Sequence, residues 1–139
     1  MVDFRMLDIG YEPTTKKKIL VIDDEASIQS VIFDALAEDY QIISAFNGKE
    51  GLTKAEHVQP DLILLDIMLP DLNGYDAAKQ LESNPATKNI PVLFVTGRDF
   101  DKSTIRMLKS ESNVVGMVPK PFRVTELREI VKNVFAKKT

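Results

Sequence analysis

Short runs of uninterrupted apolar residues recur along the chain and predict the strands of a sheet. Three of them occupy residues 19–22, 62–65 and 92–95. Runs of this length are typical of strands buried on both faces, as in a parallel sheet. Two weaker stretches, Gln41–Phe46 and Val114–Val118, predict two more strands, the second of them interrupted by Gly116.

Between the predicted strands, apolar residues recur at intervals of three and four, which is the spacing of one helix face. The first helix carries the series Ile28, Val31, Ile32, Ala35 and Leu36, and the last carries Leu127, Ile130, Val131, Val134 and Phe135. Three more helices are predicted, ending near Val58, near Glu82 and, after starting at Asp101, near Lys109. Five strands that alternate with five helices predict an α/β protein with an open parallel sheet and helices on both faces.

The chain of 139 residues is long enough for one domain with its own core. We assign residues 18–139 to that domain and residues 1–17 to an N-terminal extension or linker, because a turn-forming Glu12-Pro13-Thr14-Thr15 precedes three lysines. Two interpretations of the extension stay open, a mobile tail and a segment that docks on its own domain or on a partner.

Composition excludes several classes of function. The absence of cysteine excludes disulfides and thiolate metal sites. A net charge of -3 with scattered lysines gives no sign of a nucleic-acid surface. No apolar run approaches the ~18 residues needed to span a membrane, so we expect a cytoplasmic protein with neither a nucleic-acid nor a membrane partner.

Polar residues stand where the predicted strands end. Asp23 and Asp24 follow the first strand, Asp66 follows the third, Thr96 ends the fourth and Lys120 comes after the fifth. The carboxyl ends of parallel strands lie at one edge of a sheet, which is where such folds gather their functional groups. Each residue alone is more often an ordinary turn or cap, but the combination predicts one site.

The chemistry of that set points to phosphoryl transfer. Two carboxylates ~4 Å apart repel by about 4 kcal/mol at an effective dielectric of 20, so the acidic cluster needs a cation. Oxygen ligands suit Mg²⁺, which also accepts oxygens from an incoming phosphate. An aspartate can serve as a phosphoryl nucleophile, while a lysine neutralises the transferring oxygens and a threonine donates a hydrogen bond to them.

From Lys18 to Ala136 the chain resembles the receiver domain of two-component response regulators. The matching segments are Ile19–Glu25, Asp61–Pro70, Asn73-Gly74, Val95–Gly97 and Lys120–Phe122. The resemblance implies a flavodoxin-like, doubly wound sheet of five parallel strands in the order 2-1-3-4-5, with five helices.

It also implies roles for individual residues. Asp66 would be the phosphoacceptor, and Asp24 and Asp66 would bind Mg²⁺ directly, with Asp23 acting mostly through water. The main-chain carbonyl of Met68 would complete the metal site.

Thr96 and Lys120 would bind the phosphoryl oxygens, and the Lys120-Pro121 peptide bond would be cis. Met117 stands where family members commonly carry an aromatic residue that turns inward when the threonine moves, so we expect a looser switch here.

The implied partner is a sensor histidine kinase or a phosphotransfer protein. Homodimer formation, or the binding of a downstream protein through the last helices and strand, is also possible within the family. We expect a phosphoacceptor that assists its own phosphorylation and not an enzyme. Whether the domain acts alone or beside an effector domain is open.

Two other functions are compatible with an α/β fold of this kind. A flavin-binding protein of similar fold needs a phosphate-binding loop after the first strand, where this chain has Asp23-Asp24-Glu25 and would repel the phosphate. A phosphohydrolase with Asp66 as nucleophile carries a second acid two residues further on, and that residue is Met68. A phosphatase assay with a generic ester separates a hydrolase from a phosphoacceptor.

Overall fold

The predicted alternation of strands and helices is present in the computed structural model, which describes residues 16–97, 106 and 113–137. In chain order the elements are β1 Lys18–Ile22, α1 Ala26–Leu36, β2 Gln41–Ala45, α2 Gly48–Val58, β3 Leu62–Leu65, α3 Gly74–Ser83, β4 Val92–Thr96, β5 Val114–Pro119 and α4 Val124–Ala136. Residues 1–15 of the predicted extension, and all but one residue of the helix predicted over 101–109, lie outside the described residues.

The five strands form one parallel sheet in the order β2-β1-β3-β4-β5, which confirms the predicted order. Ile22, the last residue of β1, pairs with Ala45 on one side and with Leu65 on the other. The carboxyl ends of the three neighbouring strands are therefore level, and the residues that follow them emerge at one edge.

The core consists of two layers, one on each face of the sheet. Every residue of β3 and β4 is buried, as the uninterrupted apolar runs predicted. One layer packs beneath α2 and α3 and includes Ala55 and Leu81, and the other packs beneath α1 and α4 and includes Leu36 and Leu127. Within the described part of the chain, the helices thus cover both faces of the sheet.

The buried face of α1 differs from the apolar series that predicted the helix. Its buried residues are Gln29, Ile32, Ala35 and Leu36, whereas Val31 is 39% exposed. Residues 29, 32 and 36 follow one another at intervals of three and four, so they share a face, and Val31 lies to the side of it. A polar side chain therefore belongs to the inner face of this helix.

Strand β5 is not interrupted at Gly116. The strand runs from Val114 to Pro119, and its irregularity lies one residue earlier, because Val92 pairs with Val114 while Leu93 pairs with Gly116. Val115 is the extra residue of a bulge and is 48% exposed.

Across the described ranges, no helix combines the length and apolar character needed to cross a membrane.

Candidate functional site

Three carboxylates converge at the carboxyl edge of the sheet. Asp23 directly follows β1 and Asp66 directly follows β3, and the two strands are neighbours. The main-chain N–H of Asp66 donates to the carbonyl of Ile22 at 3.0 Å, which holds the two strand ends together. One carboxylate oxygen from each of Asp23, Asp24 and Asp66 lies within 4.8 Å of the other two. The acidic site predicted from the strand ends is thus assembled by the fold.

Lys120 reaches into this cluster from the end of β5. Its Nζ lies 2.7 Å from Oδ2 of Asp23, 3.4 Å from Oδ2 of Asp66 and 3.6 Å from Oε1 of Glu25. Its main-chain N–H donates to the carbonyl of Thr96 at 2.9 Å, so the end of β4 fixes the position of the Lys120 main chain. The Lys120-Pro121 peptide bond that follows is cis, as the resemblance implied.

Burial and charge act against each other on the ionisation of these groups. Burial raises the pKa of Asp23, although the hydrogen bonds from Lys120 and from the Glu25 amide act to lower it. For Lys120 burial acts to lower the pKa, but the hydrogen bond to Asp23 and the charges of Asp23, Asp66 and Glu25 outweigh it and raise the pKa. The ammonium group is therefore held in its charged form by the carboxylates around it.

Two other predicted residues lie at the same edge. Thr96 ends β4, the strand next to β3, and is fully buried. The main-chain N–H of Met68 donates to Oδ1 of Asp66 at 3.2 Å, while the side chain of Met68 is 55% exposed. Met117 lies one strand further out and packs against the core layer that contains Phe94. The fold thus brings the sequence-predicted residues to one edge, with Asp24 the exposed member of the acidic group.

The loop after Asp66 is fastened at several points that the sequence did not reveal. The carboxylate of Asp71 accepts hydrogen bonds from the N–H groups of Gly48 at 2.7 Å and Lys49 at 3.0 Å, at the start of α2. These bonds lower the pKa of Asp71. At the other end of the loop, Asn73 caps α3 by accepting from the N–H of Tyr75 at 2.7 Å. The segment that includes Met68 is therefore held between two helix starts.

Gln29 is a second residue that the sequence-based prediction missed. It lies on the buried face of α1 and its side-chain amide reaches the strand ends next to the acidic cluster. The available signal was a polar residue three positions before Ile32 and seven before Leu36, hence on the face that those residues share. The apolar series that starts at Ile28 predicts a buried face without Gln29, so the residue was missed.

The donor set fits a hard divalent cation. The three side chains offer carboxylate oxygens that are close enough to share one ion, and among the described residues one lysine forms ion pairs with two of them. Mg²⁺ takes one or two carboxylates and completes its octahedron with water, a carbonyl or a phosphate oxygen. Asp23, Asp24, Asp66 and the Met68 carbonyl can supply ligands of this kind.

Comparison with known proteins agrees with the family resemblance seen in the sequence. The family model described as the response regulator receiver domain matches residues 19–132. The alkaline phosphatase synthesis transcriptional regulatory protein PhoP of Bacillus subtilis is 40% identical over 119 residues, which is 84% of this chain and 47% of PhoP. The hybrid signal transduction histidine kinase D of Dictyostelium discoideum is 33% identical over 123 residues, 88% of this chain and 8% of the kinase.

A solved structure shows the same fold. The chemotaxis response regulator CheY4 of Vibrio cholerae superposes with a TM-score of 0.77 at 26% identity, over 86% of this chain and 99% of CheY4. The chain thus spans less than half the length of the two curated relatives named above, and almost the whole length of this structural neighbour.

Proposed function

The chain belongs to the response regulator receiver domains of two-component systems, and on that premise we propose that it accepts a phosphoryl group on Asp66 from a histidine kinase or a phosphotransfer protein. One carboxylate oxygen of Asp66 attacks phosphorus and forms an acyl phosphate. The bond from phosphorus to the donor nitrogen breaks at the same time, and the nitrogen keeps the electron pair. The protein is thereby the acceptor of the group and assists its own modification.

The observation that supports this role most directly is the convergence of Asp23, Asp66 and Lys120. Lys120 Nζ lies within 3.4 Å of both carboxylates, so its charge is available to the oxygens of a phosphoryl group on Asp66. Burial of Asp66, which is 5% exposed, keeps that charge effective because little water screens it. Thr96 would donate its hydroxyl hydrogen to another phosphoryl oxygen.

Mg²⁺ would be held by Asp23, Asp24, Asp66 and the Met68 carbonyl, with Asp23 acting mostly through water. When bound, the ion supplies the positive charge that three carboxylates and a phosphate require. The hydrogen bond from the Met68 N–H to Asp66 supports the role of this loop, because it fixes the main chain beside the acceptor carboxylate.

Phosphorylation would then alter a protein-binding surface on the last helices and strand. Val115 and Val124 expose apolar surface on this side of the domain, at 48% and 39%. A groove of about 400 Å³ runs between β5 and α4 and includes Ile130 and Val134 in its walls. A downstream protein or a second copy of the chain would bind here.

The N-terminal extension would comprise residues 1–17, and the receiver domain would begin at residue 18.

A small phosphodonor such as acetyl phosphate tests the acceptor residue. In the presence of Mg²⁺, mass spectrometry of the intact protein should show the addition of one phosphoryl group, and the Asp66→Asn variant should show none. Asp34→Asn, which changes an exposed aspartate on α1, serves as the matched control and should be modified like the wild type. Equal modification of Asp66→Asn and wild type would rule out Asp66 as the acceptor.

A further inference from the structure

The side chain of Gln29 bonds three main-chain carbonyls beside the acidic cluster. Its Nε2 lies 3.1 Å from the carbonyl oxygen of Val21, 3.0 Å from that of Asp23 and 2.9 Å from that of Ala45. These carbonyls belong to β1, to the turn after it and to the end of β2. One amide group thus connects two strand ends to the turn that bears Asp23 and Asp24.

The orientation of this amide follows from its surroundings. An amide nitrogen carries two hydrogens and can satisfy acceptors, whereas the amide oxygen has none to donate. Turning the group over would set Oε1 against three carbonyl oxygens. Nε2 therefore faces the strand ends, and its two hydrogens are shared among three acceptors.

This arrangement leaves Oε1 of Gln29 without a hydrogen-bond partner among the described residues, although the residue is only 6% exposed. A buried polar atom without a partner opposes folding. An apolar side chain of equal length, such as methionine, would fill the same space without that cost. The benefit of glutamine here must therefore come from its donors.

We infer that Gln29 is a positioning residue for the metal and phosphoacceptor site. The carboxylates of Asp23 and Asp24 are attached to the turn whose carbonyl Gln29 holds, and they repel Asp66. Without Gln29, the main chain of Asp23 keeps its N–H bond to the Ala45 carbonyl, at 3.0 Å, and its carboxylate keeps the bonds from Lys120 and the Glu25 N–H. The repulsion between the carboxylates would then act on a turn with fewer main-chain bonds, which could relax away from Asp66 and separate the charges. Gln29 opposes that movement, so the carboxylates stay close enough to share one cation. The inference rests on the proposed metal site.

The test is the affinity of the purified protein for Mg²⁺ alone, measured by isothermal titration calorimetry. The Gln29→Met variant keeps the length of the side chain and removes the donors. Its dissociation constant for Mg²⁺ should rise about 10-fold, the lower end of what is lost when groups that orient metal ligands are removed. Gln29→Asn keeps an amide on a shorter side chain and should show a smaller increase.

The control must lose stability without touching the site. Thr87 follows the carboxyl end of α3 and is 1% exposed. Its hydroxyl donates to the Leu81 carbonyl at 2.7 Å and is not part of the acidic cluster. Thr87→Val should lower the melting temperature and leave the Mg²⁺ affinity unchanged. An equal loss of affinity in Thr87→Val would show that the effect follows stability, and would overturn the role of Gln29.

The remaining outcomes are also decisive. Unchanged Mg²⁺ affinity in Gln29→Met would overturn the inference and leave the metal site intact. If Gln29→Met does not fold, Gln29→Asn decides in the same way, by a raised or an unchanged dissociation constant. A wild-type protein that binds no Mg²⁺ would overturn the metal site itself, and this inference with it.

Discussion

Asp66 is surrounded by more negative charge than one lysine balances. Asp23 and Asp24 each have an oxygen within 4.8 Å of an Asp66 oxygen, and Lys120 Nζ, at 3.4 Å, is the ion-pair partner of Asp66 among the described residues. Two repulsions of up to about 4 kcal/mol each, at an effective dielectric of 20, therefore oppose one attraction of similar size. The charge of Asp66 therefore lowers the stability of the metal-free protein. The proposed function of Asp66 as phosphoacceptor explains why an acidic residue occupies this position.

Replacing Asp66 with asparagine should consequently stabilise the metal-free protein. We expect the free energy of unfolding in urea, with a chelator present, to rise by about 1 kcal/mol, since most of the Coulomb energy is screened or offset. Asp34→Asn, which removes an exposed charge far from the cluster, should change it by less than about 0.5 kcal/mol. A lower stability of Asp66→Asn would mean that the attraction by Lys120 dominates.

Asp71 gives a prediction about pH. Hydrogen bonds from the Lys49 and Gly48 N–H groups favour its ionised form and lower its pKa below the ordinary value of 3.8. A carboxyl group with a lowered pKa in the folded state adds stability above its unfolded pKa, and loses it as pH falls through the folded value. Asp71→Ala should therefore reduce the free energy of unfolding at pH 7, and the difference from wild type should shrink below about pH 4.

Urea unfolding of both proteins at several pH values measures this difference directly. Because Asp71 is exposed, salt should weaken the contribution at pH 7. A gap between wild type and variant that is constant from pH 7 to pH 3 would mean that the Asp71 side chain stabilises the loop independently of its ionisation.

Helix α3 starts in close contact with the end of the strand that precedes Asp66. A Cβ added to Gly74 would lie 2.6 Å from Cα of Ile67 and would also collide with the main-chain carbonyl oxygen of Asp66. Gly74 also donates its N–H to the Ile67 carbonyl at 2.8 Å. The helix can begin this close to the strand end only because residue 74 has no side chain.

Gly74→Ala should therefore destabilise the protein by about 1–3 kcal/mol, the usual cost of overpacking, because main-chain atoms must move. Chemical denaturation measures the loss. Gly97→Ala is the control at the same edge, since among the described residues its Cβ would meet Cβ of Lys120 at 3.8 Å, an ordinary contact. Equal stability of Gly74→Ala and Gly97→Ala would contradict the close approach of α3.

The elements also show what the sequence could and could not predict. Buried strands such as β3 and β4 were predictable because a strand covered on both faces must be apolar throughout. The acidic cluster was predictable because parallel strands bring their carboxyl ends to one edge. Both conclusions need only the identity of side chains and the period of the elements.

The supporting contacts were not predictable for a different reason. Gln29 and Asp71 bind main-chain groups of residues 16 and 23 positions away, and a sequence carries no record of which carbonyl or N–H group is unpaired. The bulge at Val115 likewise depends on register, which apolar residues on both sides of Gly116 do not fix. Topology was thus evident from the pattern, while the fine positioning of the site was not.

At the scale of the whole molecule, binding at the site is coupled to the stability of the fold. β1, β3 and β4 lie side by side in one sheet, and both core layers rest on them. The residues proposed to bind the metal follow β1 and β3, so a ligand that needs them in place can bind only while these strands are paired. Small domains unfold as one cooperative unit, so binding at this edge should stabilise the entire fold.

Mg²⁺ should therefore raise the melting temperature of the wild-type protein. At a metal concentration 100 times the dissociation constant, the gain is about 2.7 kcal/mol, equivalent to roughly 10 °C for a domain of this size. Calorimetry in a chelator and in Mg²⁺, at matched ionic strength in NaCl, separates specific binding from screening of the three carboxylates. Asp34→Asn should show the full shift, whereas Asp24→Asn, which loses one member of the cluster, should show much less. A shift of equal size in NaCl alone would mean that the carboxylates need only counter-charge, and would remove the reason to propose a metal held at this edge.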